Sequence, residues 1–344
     1  MATYDLVRDL PLVVEGYELT GLALASDRWV RRTTVIRLFG AGEEGVGEDI
    51  TYDADAQLAQ IERGATLPLT GNHSLESFSE LLDAFELGAP AHERDHRLWG
   101  YESAALDLAL RQAGRSLPEV LGREPRPVRY VVSKGLGDPP STAPLLRLLE
   151  LYADARFKLD AARSWTDELI AELAALERTD VVDLKGVFRG DFGEHPDADL
   201  YSRVAEAFPE AWIEDPGLTQ ETDSVLVPHR ERITWDAPIH SALDIRALPF
   251  PPRTINVKPS RFGTVERLFD AYDYCAEKGI GLYGGGQWEL GVGRGQIQLL
   301  ASLFHANAPN DVAPSGFNEA ELHPGLEPSP IDPAPAPIGF GRAR

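Results

Sequence analysis

The sequence predicts an α/β protein: a closed parallel barrel preceded by an α+β unit. Three observations carry this expectation. Strands followed by helices fill the first third of the chain, short apolar strands alternate with helical segments through the rest, and charged residues recur at the ends of those later strands.

With 344 residues, 43% of them hydrophobic and 26% charged, the chain can bury a large core. No apolar run is long enough to predict a membrane span. The start, "MATYDLVRDLPLVVEGYEL", lacks the basic and apolar regions of a secretory signal. A formal charge of −22 argues against nucleic acid or an anionic membrane as partner. The single cysteine, Cys275, excludes an intramolecular disulfide framework and fits a reducing, cytoplasmic setting. In "AYDYCAEKG" it reads as a packing residue of a helix.

Residues 10–21, "LPLVVEGYELTG", and 29–40, "WVRRTTVIRLFG", read as antiparallel strands. A glycine-punctuated turn, "GAGEEGVGEDITY", is expected next. "DAQLAQIERG", "SLESFSELLDAFELG" and "WGYESAALDLALRQAG" are helical, the last with Ala105, Leu106, Ala109 and Leu110 at helical spacing. From Val128 the pattern changes. "VRYVVS", "ARFKLD", "VVDLKG", "AWIEDP", "ITWDAP", "TINVKP" and "GIGLYGG" follow one another every 22–30 residues or so, with helices such as "WTDELIAELAALER" between them. That period implies βαβ units, and so many in so short a span favour a barrel over an open sheet. No GxGxxG follows the first of these strands, which weakens a doubly wound, nucleotide-binding alternative. The Pro/Gly-rich tail "HPGLEPSPIDPAPAPIGFGRAR" cannot hold a helix, and its Ile331, Ile338 and Phe340 predict a strap on the surface. The expected division is a cap over 1–125, a barrel over 126–315 and a strap over 316–344.

In a βα barrel the C-terminal strand ends form the rim that builds the site. Asp183, Glu214 and Asp236 fall at three successive strand ends. One such acid reads as a helix cap, but three in register suit a hard divalent cation, Mg²⁺ above all. Lysine is rare, with five against 28 arginines, yet Lys134, Lys158, Lys185 and Lys258 all map to the rim. Only Lys278 reads as ordinary surface. Lysine can be tuned to exchange protons and arginine cannot, so the rim is expected to need ammonium chemistry. Asp160 shares a strand face with Lys158.

Weaker candidates are His92 and His96, read as a solvated helix start, and His305, read as packing. "GGGQWELGVGRG" could cradle an anion or bring backbone close to a substrate carboxylate. Trp29 is a candidate to overhang the site from the cap. No serine has a G-x-S-x-G context.

These residues resemble the enolase superfamily over nearly the whole chain. "GAGEEGVGEDITY" is similar to its G-x-G-E segment and "YESAALDLALRQAGRSLPEVLG" to its A-x-x-D-x-A helix, both of its capping domain. The second half resembles its modified (β/α)₇β TIM-type barrel. The resemblance places Mg²⁺ on Asp183, Glu214 and Asp236. A sixth-strand lysine, matched by Lys258 in "INVKPSRFG", marks the muconate-lactonizing branch, with its o-succinylbenzoate synthases and dipeptide epimerases. "GGGQWELGVGRGQIQLLASL" is similar to that branch's seventh-strand segment, with Glu289 at its acid and no histidine of the mandelate racemase kind.

What the resemblance implies is a homo-oligomeric enzyme that removes a proton α to the carboxylate of a small molecule, through an enediolate stabilised by Mg²⁺. Three positions depart from the family pattern: Asp160 stands where the second-strand base is usual, Lys185 where a small residue or Asn is usual, and Ala237 where Glu is usual. Two outcomes are open. Either Lys185, steered by Asp160, works opposite Lys258 while Lys158 orients the substrate carboxylate, or Lys258 works alone. One base suffices for elimination or cycloisomerisation, so a lyase or cycloisomerase is expected. A dipeptide epimerase or racemase and a catalytically degenerate metal-binding homologue are the alternatives. Substrate choice is expected to lie with Ser26–Trp29 and Asp53–Gln60 of the cap.

Overall fold

The first strands each find an antiparallel partner. They are β1 (Pro11–Val14), β2 (Gly16–Ala25), β3 (Val30–Gly40) and β4 (Glu43–Asp49), followed by α1 (Ala54–Arg63) and β5 (Gly71–Ser74). Three helices complete the unit: α2 (Leu75–Asp83), α3 (Arg94–Gln112) and α4 (Leu117–Leu121). Strands β2, β3 and β4 form one antiparallel sheet, and β1 pairs with β5. The structure is a computed structural model describing residues 2–25, 29–187, 193–319 and 321–343. Ser26 to Arg28, part of the expected cap loop, lie outside the described residues.

The segment "GAGEEGVGEDITY" is mostly strand. The turn is confined to Ala41 and Gly42, both with positive φ. Its other glycines serve close approach: a Cβ at Gly45 would lie 2.3 Å from the Leu108 amide nitrogen, and one at Gly47 would lie 2.2 Å from the Gly100 carbonyl. The backbone of β4 thus rests on α3, a contact no larger residue permits. The Asp53–Gln60 segment is likewise a helix start. Asp53 caps α1 by accepting from the Ala56 amide at 2.8 Å, and Gln57 and Gln60 are buried.

The second half alternates strand and helix: β6 (Val132–Ser133), α5 (Ala143–Leu151), β7 (Phe157–Asp160), α6 (Asp167–Ala175), β8 (Thr179–Asp183), α7 (Ala198–Ala207), β9 (Trp212–Glu214) and α8 (Gln220–Leu226). Then come β10 (Ile233–Thr234), α9 (Ala242–Ala247), β11 (Thr254–Val257), α10 (Pro259–Phe262), α11 (Val265–Lys278), β12 (Gly281–Gly284) and α12 (Val292–Phe304). Strands β6 to β10 are parallel neighbours in chain order, as are β11 and β12. A hydrogen bond from the Asn256 amide to the Trp235 carbonyl (2.9 Å) links β10 to β11. Asn310 and Asp311 close the ring, the first accepting from the Val131 amide (2.8 Å) and the second donating to the Gly284 carbonyl (2.7 Å). The result is a (β/α)₇β barrel with an N-terminal α+β cap. No helix among the described residues is long and apolar enough to cross a membrane.

The tail lies on the protein as a strap. Ile331 pairs with Val128, and Phe340 is buried with its amide on Asp107 Oδ1 at 2.7 Å. Ile338, expected to pack, is exposed instead, because Gly339 turns the chain there with φ 94°. Asp107 of α3 also accepts from the Val46 amide (2.9 Å), so one carboxylate fastens β4 and the strap to the same helix. Cys275 is buried in α11 and unpaired, a packing residue as expected.

Glu102 faces the other way on α3, fully buried against the start of α11. Its Oε2 accepts from the Val265 amide at 3.3 Å, and its Oε1 has no hydrogen-bond partner. Burial pushes this carboxyl up to about 7, Ser79 and Arg267 pulling it down and Asp83 adding to the rise. Its folded value exceeds the unfolded one, so the stability it contributes is complete at acid pH and is lost as pH rises through about 7. Glu102→Gln should therefore raise the melting temperature at pH 8, by a change worth up to about 3 kcal/mol, and change little at pH 4. Melts of both proteins across that range check this, and parallel pH profiles would contradict it.

Candidate functional site

Parallel register sets the rim. Asp183 ends β8 directly beside Glu214 ending β9, and Asp236 lies two residues beyond β10. All three are buried, and one carboxylate oxygen of each lies within 4.8 Å of the others. Among the described residues this is the one acidic cluster with metal-binding geometry.

Cations from neighbouring strands surround it. Lys158 of β7 donates to Glu214 Oε1 and lies 3.2 Å from Asp183 Oδ2. Lys185 lies 2.5 Å from Asp183 Oδ2 and 3.5 Å from Asp160 Oδ1, so the structure brings Asp160 and Lys185 together as the sequence suggested. Lys258 reaches Asp236 Oδ2 at 2.9 Å, and Arg261 donates to Asp236 Oδ1 at 2.9 Å. Lys134, also at the rim, has its amine lowered by partial burial.

The charges follow from these contacts. Burial pushes the Glu214 carboxyl up to about 8; Lys158 opposes this, and Asp183 and Asp236 reinforce it. Burial would also raise Asp236, but Arg261 and Lys258 hold it at about 2. Burial would lower Lys158 and Lys185, yet their carboxylate neighbours outweigh it and raise both. The donor set, all carboxylate oxygen, fits a hard divalent cation. Asp236 Oδ2 is buried and accepts no hydrogen bond, Lys258 meeting it only as an ion pair, so it retains a lone pair for such an ion.

Several residues of the site escaped the sequence reading. Asp215, held at φ 49°, accepts from the Asp236 and Ala237 amides at 2.8 Å each and so shapes the turn that presents Asp236. Tyr283 of β12 donates its hydroxyl to Glu214 Oε2, which also receives the Asn256 amide at 3.3 Å. Burial and the Glu214 charge push the Tyr283 phenol above its ordinary value, so it remains a donor.

The cap meets the barrel over the segment after β12. Buried Arg31 donates to the carbonyls of Ile50 (2.6 Å) and Thr51 (3.1 Å) in the cap and of Gln287 (2.9 Å) and Trp288 (3.3 Å) in the barrel. Trp29 stacks on Tyr52 at 6.1 Å and meets Trp288 edge-on at 5.4 Å. The Gln287 amide satisfies both neighbours when its nitrogen donates to the Tyr52 hydroxyl (2.9 Å) and its oxygen accepts from Arg261 Nε (2.8 Å). Through Arg261, the cap thus reaches a carboxylate of the acidic cluster.

The glycine-rich segment is not free to cradle an external anion. Glu48 of β4 takes its amides, at 2.7 Å from Leu290, 3.0 Å from Gly291 and 2.8 Å from Gly293. Glu289 is buried and paired with Arg294 at 3.0 Å. His305 packs, its Nδ1 at 2.7 Å from Asn310 Oδ1, and burial lowers it to about 4. Of the histidine pair, His92 is exposed as expected. His96 is buried against Tyr52, and burial pushes it down to about 3, because α3 turns that face inward. Glu48→Gln sets an amide against three N–H donors and should cost about 2–3 kcal/mol in thermal melts. Glu44→Gln, on the exposed side of the same strand, should stay within about 0.5 kcal/mol of the parent.

Residues 124–319 match the family model described as the C-terminal domain of a domain of unknown function (DUF8230), and residues 5–120 match its N-terminal domain. An N-succinylamino acid racemase of Thermus thermophilus is 27% identical over 346 residues, covering 90% of this chain and 87% of that one. An o-succinylbenzoate synthase of Geobacillus stearothermophilus is 29% identical over 320 residues, covering 83% and 80%. Among solved structures, an enolase superfamily member from Listeria innocua Clip11262 superposes with a TM-score of 0.70 at 21% identity, over 96% of this chain and 93% of that one. Muconate lactonizing enzyme from Pseudomonas putida gives 0.66 at 20% identity, over 96% of each chain. The chain belongs to the DUF8230 family, and its architecture is that of the enolase superfamily.

Proposed function

We propose that this protein is a Mg²⁺-dependent enzyme that abstracts a proton α to the carboxylate of a small molecule, with a lyase or cycloisomerase outcome. One observation carries the reading: three buried carboxylates from consecutive strands, ringed by the amines of Lys158, Lys185 and Lys258. Asp183, Glu214 and Asp236 would hold the ion. When bound, Mg²⁺ offsets the charge that develops on the substrate carboxylate as the proton leaves.

The chain's own groups do the rest. Lys158, at the centre of the ring, orients the substrate carboxylate. Lys258, on the Asp236 side, removes the α-proton. Lys185 approaches from the Asp183 side with Asp160 behind it, and serves as the opposing acid or base. The residue missing at Asp160 is thereby supplied from the next strand. A one-base site favours elimination or ring closure, whereas two opposed amines also permit epimerisation. The position of Lys185 is what favours this second, racemase-type reading, and a racemase and a synthase both stand among the similar proteins. The division at 125/126 and 315/316, a cytoplasmic setting and assembly of several copies belong to the same proposal.

The test is Mg²⁺-dependent uptake of solvent deuterium at the α-carbon across a panel of carboxylic acids, N-succinylamino acids included. Exchange with inversion marks an epimerase, and loss of water or ring formation marks a lyase or cycloisomerase. Retained Mg²⁺ binding without exchange would mark a degenerate homologue and defeat the main reading. Lys258→Ala should slow exchange about 10²–10⁴-fold. Lys185→Ala should abolish exchange if it replaces the missing base; intact exchange would leave Lys258 as the sole base.

A further inference from the structure

Glu214 is held differently from its two neighbours. Asp183 and Asp236 meet ammonium and guanidinium groups and one backbone amide, that of Lys185 at 2.9 Å. On Glu214 only Oε1 takes an ammonium, from Lys158. Its Oε2 accepts from two uncharged donors, the Tyr283 hydroxyl on β12 and Asn256 Nδ2 on β11, strands that carry none of the three carboxylates. Tyr283 is fully buried inside the barrel. Room for this arrangement comes from Gly285, where a Cβ would lie 2.6 Å from Lys258 Cε and 2.8 Å from Asn256 Oδ1.

We propose that Tyr283, assisted by Asn256, is a positioning residue for divalent-cation binding. It fixes Glu214 Oε2 and so sets the plane of the carboxylate before the ion arrives. The proposal rests on the metal reading of the cluster given above. A glutamate side chain left free must lose rotamer freedom when it binds an ion, at a cost of up to about 2 kcal/mol. A phenol that has already fixed it removes that cost from the binding step. Neutral donors suit the task, since a second ammonium on Oε2 would repel a dication at short range. Partners that orient a ligating carboxylate commonly change affinity about 10–100-fold when lost.

Titration calorimetry of Mg²⁺ and of Mn²⁺ into the full-length protein without substrate tests this, beside thermal melts of the metal-free proteins. Tyr283→Phe should weaken binding about 10–100-fold with unchanged stoichiometry, and Asn256→Ala should weaken it less. Tyr272→Phe, which removes another buried hydroxyl away from the cluster, should bind as the parent does. Equal affinity of Tyr283→Phe and the parent overturns the proposal and leaves the metal reading standing. So does a lowered melting temperature with unchanged affinity, the signature of a merely structural phenol. Should Tyr283→Phe fail to fold, Asn256→Ala carries the same comparison. Absence of divalent binding by the parent overturns both readings.

Discussion

Three carboxylates buried side by side repel one another, and their burial weakens the screening that bulk solvent would give. The rest of the rim answers that constraint. Lys158, Lys185, Lys258 and Arg261 each stand against at least one of the three, and they come from three different segments of the barrel, Lys258 and Arg261 sharing the start of α10. Parallel strands whose register is tied by backbone hydrogen bonds can hold so many charges at fixed separations, where loops alone could not. The scarcity of lysine elsewhere in the chain has its counterpart here. A compact ammonium fits between two carboxylates, as Lys158 does, whereas a planar guanidinium serves at the edge, as Arg261 does.

The cap is joined to this rim by polar groups that have no other outlet. Glu48 satisfies the backbone amides at the start of α12, Arg31 satisfies four carbonyls on both sides of the junction, and Gln287 links Tyr52 to Arg261. Each is buried, so losing any one of them with the junction closed would leave its partners' hydrogen-bonding groups unpaired and away from water. The aromatic wall of Trp29, Tyr52 and Trp288 is held in place by the same contacts.

Much of this was legible in the sequence, for definite reasons. Strand spacing placed Asp183, Glu214 and Asp236 at one end of the barrel, and alternation put Lys158 and Asp160 on one face. Tyr283 and Asn256 were hidden because they lie within strands that read as core, and nothing in their local pattern tells a packed side chain from one bonded to Glu214. Glu48 lay in a recognised motif, but its partners arrive more than 240 residues later. The glycines of β4 read as a turn in the sequence because composition reports flexibility and not closeness. His96 shares its spacing with His92, yet only tertiary packing tells which of the two is covered.

The Asp107 clip has a consequence for the order of folding. Its two backbone partners, Val46 and Phe340, lie 61 residues before it and 233 after it. The contact to β4 can form as soon as α3 emerges during synthesis. The contact to Phe340 must wait for the entire barrel, roughly 10–50 s at ordinary elongation rates. Until then the Oδ1 oxygen stays hydrated and the face of α3 that receives Phe340 stays open. Arrival of the strap is therefore the event that closes this face of the cap, long after the cap's own sheet can form.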